Sequence, residues 1–167
     1  MGASLASLLV SAAISGLLCP PNTWDAMMYH LPRQIHWIQQ FSVEHFPTHK
    51  LLLLHREPFA EFVGTHLMIL TDTDYYLSFI QWFALVGCLA AVSLMARQLG
   101  CDRRGQLFVS LFVATIPIVY LAATNAKNDL VFGLWYVILA WLTLTVYQEK
   151  RCTFLTSVLI GCVLGLF

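Results

Sequence analysis

A chain of 167 residues that is 59% hydrophobic and only 11% charged lies outside the range of soluble proteins, which are roughly 45–50% apolar and about 25% charged. Nine basic residues balance nine acidic ones, leaving no cationic excess for nucleic acid. With a mean hydropathy of +0.72, the composition predicts an all-α polytopic integral membrane protein.

The charge-free runs are each close to the roughly 20 residues that cross a bilayer core of about 30 Å. The first candidate span is Gly2–Cys19. Met1 to Ser7 carries no basic flank, and a cleaved signal is the lesser alternative. Ala6 stands where a myristoylation motif needs Ser or Thr.

Cys19-Pro20-Pro21 ends that run and opens a long segment, 20–74, that holds all six histidines. Within it "WDAMMYHLPRQIHWIQQ" places Trp24, Met28, Leu31, Ile35 and Ile38 on one stripe of a helix. Asp25, Tyr29, Arg33, His36 and Gln40 fall on another face. The expectation is an amphipathic helix on the membrane surface, apolar side toward the acyl chains and Trp24 and Trp37 in the interfacial belt, with a kink or break at Pro32.

Phe46-Pro47-Thr48-His49 reads as a turn. Pro58 then suits a first helical turn, with Phe59, Phe62, Val63, Leu67 and Leu70 as the apolar stripe. Glu57 and Glu61 lie near the positive end of that helix's dipole.

Further spans are expected at Tyr75–Ala96, Gln106–Thr124 and Leu130–Tyr147, and a fifth opens at Cys152. The chain end falls inside the fifth, so about five transmembrane helices and an N-terminal piece of a longer protein are expected. Arg97, Arg103 and Arg104 crowd one loop and Lys150 and Arg151 another. The excess of basic residues places both loops in the cytoplasm and puts segment 20–74 and the turn 125–129 outside.

The cysteines have no CxxC spacing and offer no zinc site. His45 and His49 flank Pro47, which disfavours a helical metal pair.

In the order of these features the chain resembles the N-terminal part of the GT-C fold membrane glycosyltransferases, the glycosyltransferase family 39-like group of protein O-mannosyltransferases and lipid A aminoarabinose transferases. "WDAMMYHLPR" is similar to that group's first-loop acidic motif and "ATNAKNDLVFGLWY" to its second external turn. The resemblance implies one transmembrane glycosyltransferase domain over 1–167. Its sugar donor would be a polyprenyl- or dolichyl-phosphate, transferred with inversion, with membrane lipids as the other partner and no nucleic acid.

It implies that Asp25 is the catalytic base and that Asp129 orients the acceptor or a divalent metal. Arg33 and Lys127 would meet the leaving phosphate, with Tyr29 and His30 beside them as substrate contacts. It further implies a multi-pass protein of the bacterial inner membrane, preferred over the endoplasmic reticulum, active on its periplasmic face. One departure counts: the family often pairs two acids in the first loop, and Asp25 is followed by Ala26. The rival reading is a transporter or a non-catalytic membrane scaffold, although the spans carry few of the mid-membrane polar groups that transport paths use.

Overall fold

The computed structural model of the protein describes residues 1–56, 58–150 and 153–165. Glu57, Arg151 and Cys152 lie outside the described residues, so the expectations that rest on them are not addressed. The described residues are helical, without strands. They form α1 (Gly2–Leu18), a π-helical turn (Ala26–His30), α2 (Leu31–Gln40), α3 (Leu52–His55), α4 (Phe59–Thr71) and α5 (Ser78–Gln98). These are followed by α6 (Arg103–Ala114), α7 (Pro117–Ala122), α8 (Asp129–Glu149) and α9 (Phe154–Leu164).

Two helices, α5 and α8, are long and apolar enough to cross a membrane. They run parallel. At one end the Gln81 side chain accepts the Leu130 amide at 2.9 Å. At the other, Gln98 donates to Thr145 Oγ1 at 2.6 Å and Gln148 to the Gln98 carbonyl at 3.0 Å. Only 17% of the apolar window in α8 is buried, and most of its side chains are partly exposed.

α1 packs antiparallel to α5. Trp82 Nε1 donates to the Leu9 carbonyl and Ser78 Oγ to the Gly16 carbonyl at 2.8 Å. A Cβ at Gly16 would stand 2.8 Å from Ser78 Oγ, so this crossing requires glycine. The central core is rich in small residues, with Ala84, Ala114, Ala122 and Ala123 among Leu85, Leu89, Leu130 and Val131. Small side chains let the backbones approach closely, which is how helices gain dispersion contact where lipid removes the hydrophobic drive.

Of the five expected spans, two reach crossing length as single apolar helices. α1, at 17 residues, and α9, at 11, are shorter apolar helices. The span expected at Gln106–Thr124 is divided. Pro117 lacks an amide hydrogen and disfavours helical geometry in the residue before it, and Ile116 is extended at ψ 118° between α6 and α7.

Asp102 caps α6 by accepting the Gly105 amide at 2.8 Å. The hydrogen bonds between α5 and its neighbours gather Arg97, Arg103, Arg104 and Lys150 at one end of the molecule. Segment 20–30 and the turn 125–129 gather at the other.

Candidate site at the end of the helix pair

The acidic motif sits on a π-helical turn. The Leu31 amide bonds to the Ala26 carbonyl, five residues back, and Pro32 cannot donate to the Met28 carbonyl one position further on. The backbone at His30 and Leu31 stays helical, so the π-helical turn runs directly into α2, which starts at Leu31 with Pro32 in its first turn. Such π-bulges often mark functional positions.

The segment buries a largely polar face together with Leu31 of the apolar stripe. Tyr29, His30, Arg33, Gln34 and Trp37 are buried, while Trp24 and Ile35, from the apolar stripe, are exposed. α4 behaves the same way. Its buried face is Ala60, Glu61, Gly64 and Thr65, and its larger Phe62, Val63 and Leu70 point outward. The two helices cross through these small and polar faces, and a Cβ at Gly64 would lie 2.5 Å from Gln34 Oε1.

Arg33 anchors this interface. Its guanidinium, 1% exposed, donates to three backbone carbonyls, from Nε to Leu53 at 2.6 Å, from Nη1 to Arg56 at 2.9 Å and from Nη2 to Leu52 at 3.0 Å. These are among the orphan acceptors at the end of the short helix α3. Glu61 lies 3.7 Å from Nη1 and accepts or shares a 2.6 Å hydrogen bond with His30 Nδ1. A carboxylate this buried requires such partners, since an unpaired charge there is strongly unfavourable.

Above this layer is a partly exposed cluster. Lys127 Nζ lies 2.8 Å from Asp25 Oδ2 and 3.9 Å from Asp129 Oδ2. Asp25 comes from the segment that follows α1, and Lys127 and Asp129 come from the turn that starts α8. The hydrogen bond from Lys127 holds the Asp25 carboxyl below its ordinary range against the opposing effect of burial. The same bond raises the Lys127 ammonium. Burial raises the Tyr29 phenol, and the Asp25 charge adds to it. Asp129 in the first turn of α8 also complements that helix's positive end.

Of the six residues singled out in the sequence, Asp25, Lys127 and Asp129 thus meet at one point. Tyr29 lies just beneath, its ring 4.2 Å from that of His30 at a tilt of 43° and covered by the Arg56 guanidinium at 5.9 Å. His30 and Arg33 lie deeper, in the α2–α4 interface. Neither acid lines the small cavity that Lys127 borders, and their side chains are 41% and 62% exposed.

Three residues of this region were not anticipated in these roles: Glu61, Gln34 and Gln81. Glu61 had a signal, as the one acid within an otherwise apolar helical run. Among the described residues no three of His, Cys, Asp and Glu gather as a metal group. Beside the cluster runs an apolar groove of about 620 Å³ between α4, α5 and α8, lined by residues such as Phe59, Val63, Phe79, Phe83, Leu134 and Trp135.

No protein-family model, no curated protein and no solved structure matches this chain.

Proposed function

We propose that this chain is the N-terminal portion of a polytopic membrane glycosyltransferase that moves a sugar from a polyprenyl-phosphate carrier to an acceptor at the outer face. In this reading α1, α5, the α6–α7 pair, α8 and α9 are the spans. The observation that carries it is the meeting of Asp25 and Asp129 on Lys127 at the end of the two long apolar helices.

The chemistry follows from the charges. The acceptor oxygen attacks the anomeric carbon, the bond from that carbon to the phosphate breaks, and the phosphate leaves with the electron pair. Asp25 takes the acceptor proton, and negative charge beside an oxocarbenium-like centre stabilises it.

With Lys127 hydrogen-bonded to it, Asp25 is a weak base. An incoming phosphate competes for the same ammonium. Transfer of Lys127 from carboxylate to phosphate would neutralise the leaving group and restore Asp25 basicity in one movement. Arg33 then acts by holding the α2 frame rather than by contacting phosphate, because its donors are occupied by backbone carbonyls. The neighbouring apolar groove suits an isoprenoid chain.

The exposure of both acids favours a second reading, in which the cluster only pins the external helices to α8. One substitution separates them. Asp25→Asn in the full-length protein is expected to lower transfer by at least about 10²-fold with membrane insertion intact. Unchanged transfer leaves only the pinning role.

A further inference from the structure

A groove of about 1120 Å³ runs along the C-terminal halves of α2 and α4. Its walls are apolar, formed by Ile35, Ile38, Phe41, Val43, Met68 and Ile69. Val43 and Ile69 are exposed, and Phe41, which closes α2 in left-handed backbone, is 97% exposed. In the floor Thr65 is 7% exposed, and its Oγ1 has no hydrogen-bond partner among the described residues. A hydroxyl oxygen buried this deep is normally paired.

The groove is electronegative for two reasons. Glu44, Asp72 and Asp74 line it and are exposed, while no Lys, Arg or His lines it among the described residues. None of these three carboxylates forms an ion pair among the described residues. The helices contribute as well. His30 lies against Glu61 and Gln34 against Gly64, so α2 and α4 run in the same direction and end together at the groove, at Gln40 and Thr71. Their last carbonyls add partial negative charge to that of the side chains.

We infer that this groove is the docking surface for a basic amphipathic helix of a partner polypeptide. The apolar side chains of that helix, about one turn apart, lie on Ile35, Ile38, Met68 and Ile69. Its Lys and Arg side chains meet Glu44, Asp72 and Asp74, and a donor that reaches the floor satisfies Thr65 Oγ1. Charge and size decide among occupants. Anionic lipid headgroups are repelled by the acidic rim. The volume exceeds the roughly 300–1,000 Å³ of small-molecule pockets. Docking here is independent of the transfer chemistry.

The test uses the chain in nanodiscs of zwitterionic lipid and, as probe, a fluorescent peptide of leucine and lysine at amphipathic helical spacing, read by anisotropy. The chain is expected to bind this peptide more tightly than empty nanodiscs do, and more tightly than it binds the same peptide with glutamate in place of lysine. Asp72→Asn combined with Asp74→Asn changes two exposed positions, and Asn tolerates the left-handed backbone at Asp72. That double variant is expected to weaken binding by roughly tenfold. Ile69→Gln, on the exposed wall, is expected to weaken it as well with thermal unfolding unchanged. Binding no tighter than to empty nanodiscs, equal binding of the acidic peptide, or an affinity indifferent to the Asp72→Asn, Asp74→Asn variant overturns the proposal. A chain that is dimeric in nanodiscs until Ile69→Gln separates it overturns the proposal too, in favour of self-association through this groove.

Discussion

Where α2 crosses α4, the buried side chains are His30, Arg33, Gln34, Glu61 and Thr65, whereas α5 meets α8 and α6 mainly through Ala84, Leu85, Leu89, Ala114, Leu130 and Val131. Both regions turn large apolar groups outward. The first is held by charge and by donors matched to orphan carbonyls, the second by close approach of small residues with Gln81 at its mouth. An ionic interface is intolerant because removing one partner strands the other, while an apolar one loses only the contacts deleted. The site is therefore built on the more brittle of the two regions, and the long helices supply the frame.

The largest expected effect breaks that contrast at its ionic side. Arg33→Met leaves three carbonyls without their donor and removes the charge 3.7 Å from Glu61, and is expected to destabilise the packing of α2 on α4 by about 3–5 kcal/mol. Thermal denaturation of the chain in detergent micelles reads this directly. Arg33→Lys restores the charge but not the planar fork, so most of the loss should remain.

A steric change probes the frame. Gly16→Val, where even a Cβ meets Ser78 Oγ at 2.8 Å, should cost about 1–3 kcal/mol by overpacking. Gln81→Met tests a polar link at the mouth of the apolar pair, where Cys88 Sγ also reaches the Leu130 carbonyl at 3.8 Å. It removes the acceptor of the Leu130 amide, for about 1 kcal/mol, and the same denaturation experiment measures it.

The smallest effect belongs to the exposed cluster. Lys127→Met should change stability by no more than about 1 kcal/mol, as expected of a solvated ion pair. Its pH dependence has a definite sign. Asp25 is depressed in the folded chain, so its contribution is present above the ordinary carboxylate range and is lost as pH falls through the lowered value. Lys127 is raised, so its contribution is complete below the ordinary lysine range and is lost as pH rises through the elevated value. The stability difference between wild type and Lys127→Met should therefore be flat at neutral pH and vanish at both extremes.

These contrasts mirror what could be read from the residues. α5 and α8 were legible because long runs without charge admit few alternatives, and their ends agree with the expectation within a few residues. The facing of α2 and α4 was not. Periodicity separates two faces of each helix, but no local signal says that their small and polar faces pack against each other, with Arg33 and Glu61 between them. The run Gln106–Thr124 holds Pro117, yet whether a proline bends a helix or divides it depends on the packing around Ile116.

The meeting of Asp25 with Lys127 spans 102 residues of sequence and had no local signal. Only the resemblance of two short motifs placed the acids in one site. The pairing of His30 with Glu61 had no such guide, because its partner lies on a helix whose apolar stripe drew attention to the opposite face.

The meeting of the segment after α1 with the turn before α8 at Lys127 is open to direct measurement. In a cysteine-free background, Asp25→Cys and Lys127→Cys should be joined by a short bifunctional thiol reagent in intact membranes, and an impermeant maleimide should label each single variant from the same side. Labelling from opposite sides, or a double variant that resists cross-linking while both thiols react, would contradict a shared site at one face.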